Sequence, residues 1–125
     1  MGLIKPRIAV EYARNATIVT FTDEKILEEH DIGALQDSIM AVIESASGGM
    51  NLILDFSKVQ FLSSAMLGLL IRISKRVYQR DGQLRLCNIS PKIYEIFKIT
   101  RLTKIFDIYP DVESASEGLP ESDRP

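Results

Sequence analysis

Residues 51–68 read NLILDFSKVQFLSSAMLG. The first part, Asn51–Phe56, is nearly continuous in apolar side chains, which is typical of a central strand covered on both faces. A short loop leads to two adjacent serines, Ser63 and Ser64, at the opening of an apolar helix predicted over about 64–80. On spacing alone, capping is the commoner role of such a serine, because its side-chain oxygen accepts the free N–H groups of the first turn. The stretch predicts a strand, a loop and a helix that begins with two hydroxyl groups.

The segment before this stretch predicts a hairpin and one helix. Two β-rich runs lie on either side of the turn Arg14-Asn15 and indicate paired strands. A charged loop without a clear period, 22–30, leads to Asp31, which can cap a helix that ends at Gly48-Gly49. The apolar residues at helical spacing that would form its buried face are Ile32, Leu35, Ile39, Val42 and Ile43.

The segment after it predicts two further strand–helix units. A turn at Asp81-Gly82 precedes a strand that contains Leu84 and Leu86, and Ser90-Pro91 is a strong helix start. A short last strand over 104–109 and a weak helix over 111–117 complete the order β-β-α-β-α-β-α-β-α.

This order predicts one α/β domain. Strand–helix–strand units need crossovers, which make neighbouring strands parallel, whereas the opening hairpin makes the sheet mixed. We therefore expect a mixed five-stranded sheet with about four packed helices. The domain would span 1–119, and 120–125 would be a disordered tail.

Composition limits the class of protein. The chain has 125 residues and a formal net charge of −2, which fits one soluble domain and gives no support to nucleic-acid binding. The N-terminus has no secretory pattern, and the longest apolar stretch, 65–71, is too short to span a bilayer. Cys87 is the only cysteine, so it cannot form an internal disulfide. We expect a cytoplasmic protein without membrane insertion.

Signatures of ordinary enzymes do not occur in the sequence. Gly48-Gly49 is not followed by the Lys-Ser/Thr pair of a phosphate loop. His30 fits a solvated loop residue better than a catalytic base, and Cys87 fits a small buried side chain better than a nucleophile. We predict no catalysis and no metal or organic cofactor. A solvated helix face is the simplest reading of the basic residues Arg72, Lys75, Arg76 and Arg80.

The central stretch resembles the signature of anti-sigma factor antagonists, which have the STAS fold. Their strand–loop–helix segment commonly reads D-x-S-x-V-x-F-M/L/I-D-S-S/T-G-L-G. The residues in register without a gap are Asp55, Ser57, Val59, Phe61, Ser64, Leu67 and Gly68. A second segment is similar to the family's I-S-P…LF…L…IF ending, through Ile89, Ser90, Pro91, Ile93, Phe97, Leu102, Ile105 and Phe106. With the strand–helix order, the resemblance covers roughly residues 8 to 118.

This resemblance implies a phosphorylation-switched protein-binding module rather than an enzyme. In the family, the unphosphorylated antagonist binds an anti-sigma factor, itself a GHKL-type serine kinase, and so frees a sigma factor. Phosphorylation of the serine that matches Ser64 releases the partner. A PP2C-type phosphatase would be a further partner, and an oligomer is compatible with this interpretation. The implied partner-binding residues are Glu28, Ser57, Lys58, Ser63, Ser64, Met66 and Leu67.

Two positions differ from the family signature. Ser63 stands in place of the aspartate, which removes a negative neighbour of the target hydroxyl and makes Ser63 a second candidate acceptor. Met66 stands in place of the glycine, where a large apolar side chain would meet the approaching partner.

Other functions remain open at this point. A constitutive STAS scaffold that is not phosphorylated is the main alternative. A STAS domain that regulates a membrane anion transporter is disfavoured, because such domains follow a membrane portion. An unrecognised small enzyme would need a convergent set of titratable groups, and the sequence offers none that can be assembled.

Overall fold

The computed structural model of the chain describes residues 8–13, 15–26, 29–46 and 49–119. Strands and helices alternate along most of this length. In chain order, the elements are β1 (Ile8–Tyr12), β2 (Thr17–Phe21), β3 (Lys25–Ile26), α1 (Glu29–Ser45), β4 (Asn51–Asp55), β5 (Phe61–Leu62), α2 (Ser64–Gln79), β6 (Gln83–Cys87), α3 (Pro91–Ile99), a 3₁₀ turn (Leu102–Lys104), β7 (Asp107–Tyr109) and α4 (Val112–Ser116).

Five of the strands form one mixed sheet in the order β1-β2-β4-β6-β7. β1 and β2 are antiparallel, as the hairpin prediction requires, whereas β2, β4, β6 and β7 are mutually parallel neighbours. The parallel arrangement follows from the crossover helices α1, α2 and α3, each of which returns the chain to the same edge of the sheet. The predicted mixed five-stranded α/β domain with four helices is confirmed.

The two faces of the sheet are covered unequally. One face packs against α1, α2 and α3 and forms the main core, in which Phe21 and Phe56 lie with their ring centroids 4.9 Å apart. The other face is covered by α4 and the residues after it. Its smaller buried cluster consists of Ala16, Ile18, Ile53, Cys87, Ala115 and Leu119.

Three predicted boundaries were wrong. α1 begins at Glu29, so Asp31 lies inside its first turn rather than at its cap, and His30 lies in the helix rather than in a loop. The predicted loop 22–30 also contains β3, because the Glu24 carbonyl accepts the N–H groups of Gln60 and Phe61 and brings β3 beside β5. The last strand begins at 107 rather than 104, after the 3₁₀ turn.

The start of α3 and the helix α4 agree with the sequence. Ser90 caps α3 by accepting the Ile93 N–H at 3.3 Å, and Pro91 occupies the first turn. Asp111 caps α4 by accepting the Ser114 N–H at 2.8 Å. Hydrogen bonds from Ser114 hold the pKa of Asp111 below its usual value.

The turn Asp81-Gly82 requires its glycine. A Cβ on Gly82 would lie 2.4 Å from the Met50 carbonyl oxygen, closer than any real contact. Asp81 before it has a φ of 59°, in the left-handed region that aspartate tolerates.

Candidate functional site

The loop between β4 and α2 is fixed by the Asp55 carboxylate. Its Oδ1 accepts the Ser57 N–H at 2.9 Å and the Asn88 side-chain amide at 3.0 Å. Its Oδ2 accepts the Thr20 hydroxyl at 3.4 Å. Asp55 is buried, so these donors replace the water that a carboxylate would otherwise bind. One side chain thus joins the ends of β2, β4 and β6 and shapes the loop that leads toward Ser64.

The same loop closes in a tight turn and a short strand pairing. The Val59 N–H donates to the Phe56 carbonyl at 2.9 Å, which turns the chain at Ser57-Lys58. β5 then pairs in parallel with β3, with Phe61 opposite Lys25. The segment after β2 therefore lies beside the loop that enters α2.

The two serines at the start of α2 have different environments. Ser63 is the N-cap residue by its backbone (φ −92°, ψ 167°), yet its side chain makes no capping bond. Its Oγ is buried and lacks a hydrogen-bond partner among the residues that the structure describes. Ser64 and Ala65 are exposed. The capping position was predicted, but the capping hydrogen bond was not found.

The N-terminus of α2 has unused donors. The first backbone bonds of the helix run from the Met66 and Leu67 N–H groups to the Ser63 carbonyl, at 3.0 and 3.4 Å. The first turn contains no acidic side chain. The positive end of the helix dipole therefore lies next to the Ser64 hydroxyl with no neighbouring carboxylate in that turn.

Two of the predicted partner-binding residues lie in the core. Met66 has no exposed surface, and Leu67 is only 8% exposed. Both side chains pack in the main core, so direct contact of either with a partner was a wrong prediction for this conformation. Helical spacing explains the result, because position 66 belongs to the buried stripe with Leu70, Ile73 and Val77. The methionine that replaces the motif glycine fills the core instead of obstructing the surface.

The other predicted partner-binding residues lie at the surface or outside the described residues. Ser57 and Lys58 are exposed at the tip of the loop. Glu28 lies outside the described residues. Exposed Ser64 and Ala65, together with Ser57 and Lys58, define the accessible surface that we call the Ser64 surface.

A cleft of about 450 Å³ lies next to this loop and was not predicted from the sequence. Its walls come from the loop after β4 and from the start of α3, with Asn88, Ser90 and Pro91 on the second wall. Lys92 stands over the Phe61 ring, with Nζ 4.4 Å from the centroid. The predicted strand order could have indicated this cleft, because the carboxyl ends of neighbouring parallel strands share one edge of the sheet and the loops that follow them lie side by side.

The basic face of α2 contacts α1, which corrects its interpretation as a merely solvated face. Arg76 forms two hydrogen bonds with Glu44, and the nearby Arg80 guanidinium lies 3.3 Å from the same carboxylate. Arg72 donates to Gln36 at 3.0 Å. Hydrogen bonding to Arg76 lowers the pKa of Glu44 and raises that of Arg76. These side chains therefore hold α2 against α1.

The described residues include one buried thiol and no metal-ligand cluster. Burial, together with Asp55 and Asp111, raises the pKa of the Cys87 thiol to about 12, so the group is neutral at physiological pH. No group of three His, Cys, Asp or Glu side chains in the described ranges is placed to hold a metal ion. Nor is any helix among those residues long and apolar enough to cross a membrane.

Comparisons with known proteins agree with this geometry. Residues 7–115 match the family model of the STAS domain. An anti-sigma F factor antagonist of Paenibacillus polymyxa is 24% identical over 113 residues, which cover 90% of this chain and 94% of the relative. BtrV of Bordetella bronchiseptica, a proposed anti-sigma factor antagonist, is 30% identical over 72 residues, which cover 58% of this chain and 62% of that protein.

A solved structure supports the same fold. The anti-sigma-factor antagonist (STAS) domain protein from Planctomyces limnophilus superposes with a TM-score of 0.78 at 22% identity, covering 86% of this chain and 93% of the other. With a family model that spans nearly all the described residues, the chain belongs to the STAS domain family.

Proposed function

We propose that this protein is an anti-sigma factor antagonist that binds an anti-sigma factor and is switched by phosphorylation at Ser64. The partner would be a GHKL-type serine kinase, and a PP2C-type phosphatase would reset the switch. The antagonist itself would act by binding, without catalysis, in the cytoplasm. The names of the relatives support the general role, and the site residues support the mechanism.

The exposed Ser64 hydroxyl beside the buried Ser63 hydroxyl is the observation that carries the proposal. A kinase must reach the oxygen that it modifies; the Ser63 Oγ is buried in a half-buried residue, whereas Ser64 is exposed. Met66, the other departure from the motif, is in the core and leaves the approach to Ser64 open. Ser64 is therefore the acceptor that we propose.

A phosphate on Ser64 would leave the fold intact and change the surface. The group carries about −1.5 to −2 charges, and the N-terminal N–H groups of α2 and the helix dipole favour negative charge at this place. A partner packed on the Ser64 surface would instead have to bury or repel that charge, which is unfavourable if the charge has no counterpart. Retained folding with weakened binding is what such a switch requires.

Two variants of Ser64 test the mechanism against the purified partner kinase. Ser64→Ala should bind the kinase but take up no phosphate at this position, whereas Ser64→Asp should bind at least about tenfold more weakly, or about 1.4 kcal/mol. Calorimetric titration measures the binding, and mass mapping locates the phosphate. Ala9→Glu adds one negative charge at an exposed position of β1, at the end of the strand order opposite β7, and should bind like the parent.

The outcomes separate the proposal from its main alternative. Equal binding by the two Ser64 variants, or phosphate found only on Ser63, would contradict the proposed switch. Binding without any phosphorylation would favour a constitutive scaffold.

A further inference from the structure

Arg101 occupies a backbone conformation that does not suit arginine. Its φ is 63°, in the left-handed region, and it directly follows Thr100, the C-cap residue of α3. Helices commonly end with such a residue, and glycine is the usual choice because it has no Cβ. The other non-glycine residues with positive φ among those described are Asp81 and Asn88, whose side-chain types visit this region more readily. Arg101 is therefore the unusual one.

The fold does not use the Arg101 side chain. Thr100 closes the end of α3, because its hydroxyl donates to the Ile96 carbonyl at 2.7 Å and also lies 3.3 Å from the Phe97 carbonyl. Leu102, buried, anchors the following turn. The Arg101 guanidinium is exposed and has no hydrogen bond or ion pair within the described ranges. An unfavourable backbone residue with an unused functional group indicates a role outside the domain.

The surroundings of Arg101 are both basic and apolar. Ile99 is 78% exposed and Ile105 is 52% exposed, which makes them the two most exposed large aliphatic side chains among the described residues. Residues 98–105 contain three basic side chains, Lys98, Arg101 and Lys104, and no acidic one, although the whole chain has a net charge of −2. All three are exposed. We call this segment the 98–105 surface.

Charge and shape favour an acidic protein as its occupant. A second copy that met the first through the same surface would oppose like charges, and nucleic acid would leave the two isoleucines without an apolar counterpart. A flat anionic bilayer could not avoid the carboxylates of Glu95, which lies 3.5 Å from Lys98, and of exposed Asp107, whereas a folded partner can place its own carboxylates beside Arg101 and Lys104 alone. A protein that presents carboxylates around an apolar recess can satisfy both the guanidinium and the isoleucines.

One partner can reach both this surface and Ser64. α2 and α3 cover the same face of the sheet, and Ser64 begins α2 at one edge while the 98–105 surface follows α3 at the other. α3 begins at the same edge of the sheet as α2, and its nine residues span about 13 Å, so the 98–105 surface is separated from Ser64 by about this length along the helices as well as by the spacing between the two helices. An ordinary interface covers about 800 Å² on each partner and can include both ends.

We propose that the 98–105 surface is a second contact for the anti-sigma factor kinase, held by charge and apolar contact and independent of the phosphate on Ser64. This inference rests on the proposed function. Phosphorylation of Ser64 would release the partner. Arg101, Ile99 and Ile105 would contribute part of the affinity whether or not Ser64 carries a phosphate.

A stability–binding comparison tests it. Arg101→Gly relieves the backbone conformation, so it should melt a few degrees higher than the parent but bind the purified kinase roughly tenfold more weakly by calorimetry. The double variant Ile99→Ser/Ile105→Ser should also bind more weakly, with little change in melting temperature. Asp81→Gly is the matched control, because it makes the same backbone change at another turn without removing a guanidinium, and it should leave binding unchanged.

Each outcome decides the inference. Parent-like binding by Arg101→Gly and by the isoleucine variant, with binding lost in Ser64→Asp, would overturn this surface and leave the proposed function standing. Failure of the parent to bind the kinase would overturn both. Because glycine also raises the entropy of the unfolded chain, Asp81→Gly is the reference, and a larger fall in melting temperature for Arg101→Gly than for Asp81→Gly would show that the guanidinium serves the fold and would contradict the inference. Co-sedimentation of the parent, but not of Arg101→Gly, with vesicles of phosphatidylcholine and phosphatidylglycerol, together with unchanged kinase binding, would assign the surface to a membrane instead.

Discussion

The Asp55 carboxylate joins three parts of the chain, because its two oxygens accept donors from Thr20, Ser57 and Asn88. Its place in the family motif is therefore explained by the structure, since it shapes the loop. For the neighbouring serines Ser63 and Ser64, the sequence does not separate their roles, and the structure does. They are equivalent in sequence, but packing buries the Ser63 hydroxyl and leaves Ser64 exposed.

Asp55→Ala should destabilise the domain. The substitution removes the hydrogen bonds from the Ser57 N–H and the Asn88 amide to a charged acceptor, and each such bond contributes about 1.5–3 kcal/mol, less where the donor is partly solvated as here. Urea unfolding measures the loss in free energy of unfolding. Asp37→Ala, which removes an exposed carboxylate from α1, should change it by less than about 0.5 kcal/mol. Equal stability of the two variants would mean that the Asp55 network does not hold the loop.

At the scale of elements, α2 joins the core to the proposed switch. Its buried side chains, including Met66, Leu70 and Val77, fix the helix against the sheet, and its first turn presents Ser64. Arg72 and Arg76 tie the outer side of the helix to α1. Because both sides of α2 are held, we expect its N-terminus to keep its position when charge is added at Ser64.

Leu70→Ala tests the placement of α2. Leu70 has no exposed surface, so the truncation should create a cavity and cost about 2–5 kcal/mol. Thermal or urea unfolding followed by circular dichroism measures the change. Ile99→Ala shortens an exposed side chain on α3 and should stay within about 0.5 kcal/mol of the parent. If Leu70→Ala unfolds like the parent, the helix does not pack as described.

At the scale of the whole molecule, the second face of the sheet depends on α4. The Arg85 guanidinium donates to the Ala115 and Glu117 carbonyls at 2.9 and 2.7 Å and stacks over the Tyr109 ring. The Asn15 amide donates to the Ser116 carbonyl at 2.9 Å. A five-residue helix held by so few bonds should open more easily than the three helices of the main core.

Cys87 reports this opening, because it lies under α4 in the smaller cluster. Its pKa is raised to about 12, above the usual 9.0, because burial favours the neutral thiol. The contribution of this group to the free energy of unfolding is therefore fully present below about pH 9 and is lost as the pH rises toward 12. We expect slow labelling of Cys87 by an aromatic disulfide reagent at pH 8, and labelling several-fold faster in Arg85→Ala. Arg72→Ala, on the opposite face, should label like the parent. Rapid labelling of the parent would show that α4 does not protect the thiol.

The sequence by itself determined the class of fold, the central strand and the register of the serines, because these depend on local periodicity and on residues adjacent in the chain. Only the tertiary structure decided which groups are accessible. The Ser63 hydroxyl is buried and Ser64 is exposed, because the burial of adjacent side chains depends on the direction of each relative to the sheet. Met66 was predicted both in the buried stripe of the helix and at the partner surface, and the structure places it in the core. The start of α1 and the strand β3 also depended on tertiary contact, since β3 exists through pairing with β5, 36 positions further along the chain. The positive φ of Arg101 and the lack of a partner for its guanidinium among the described residues also came only from the structure, because the sequence does not give backbone dihedrals or side-chain contacts.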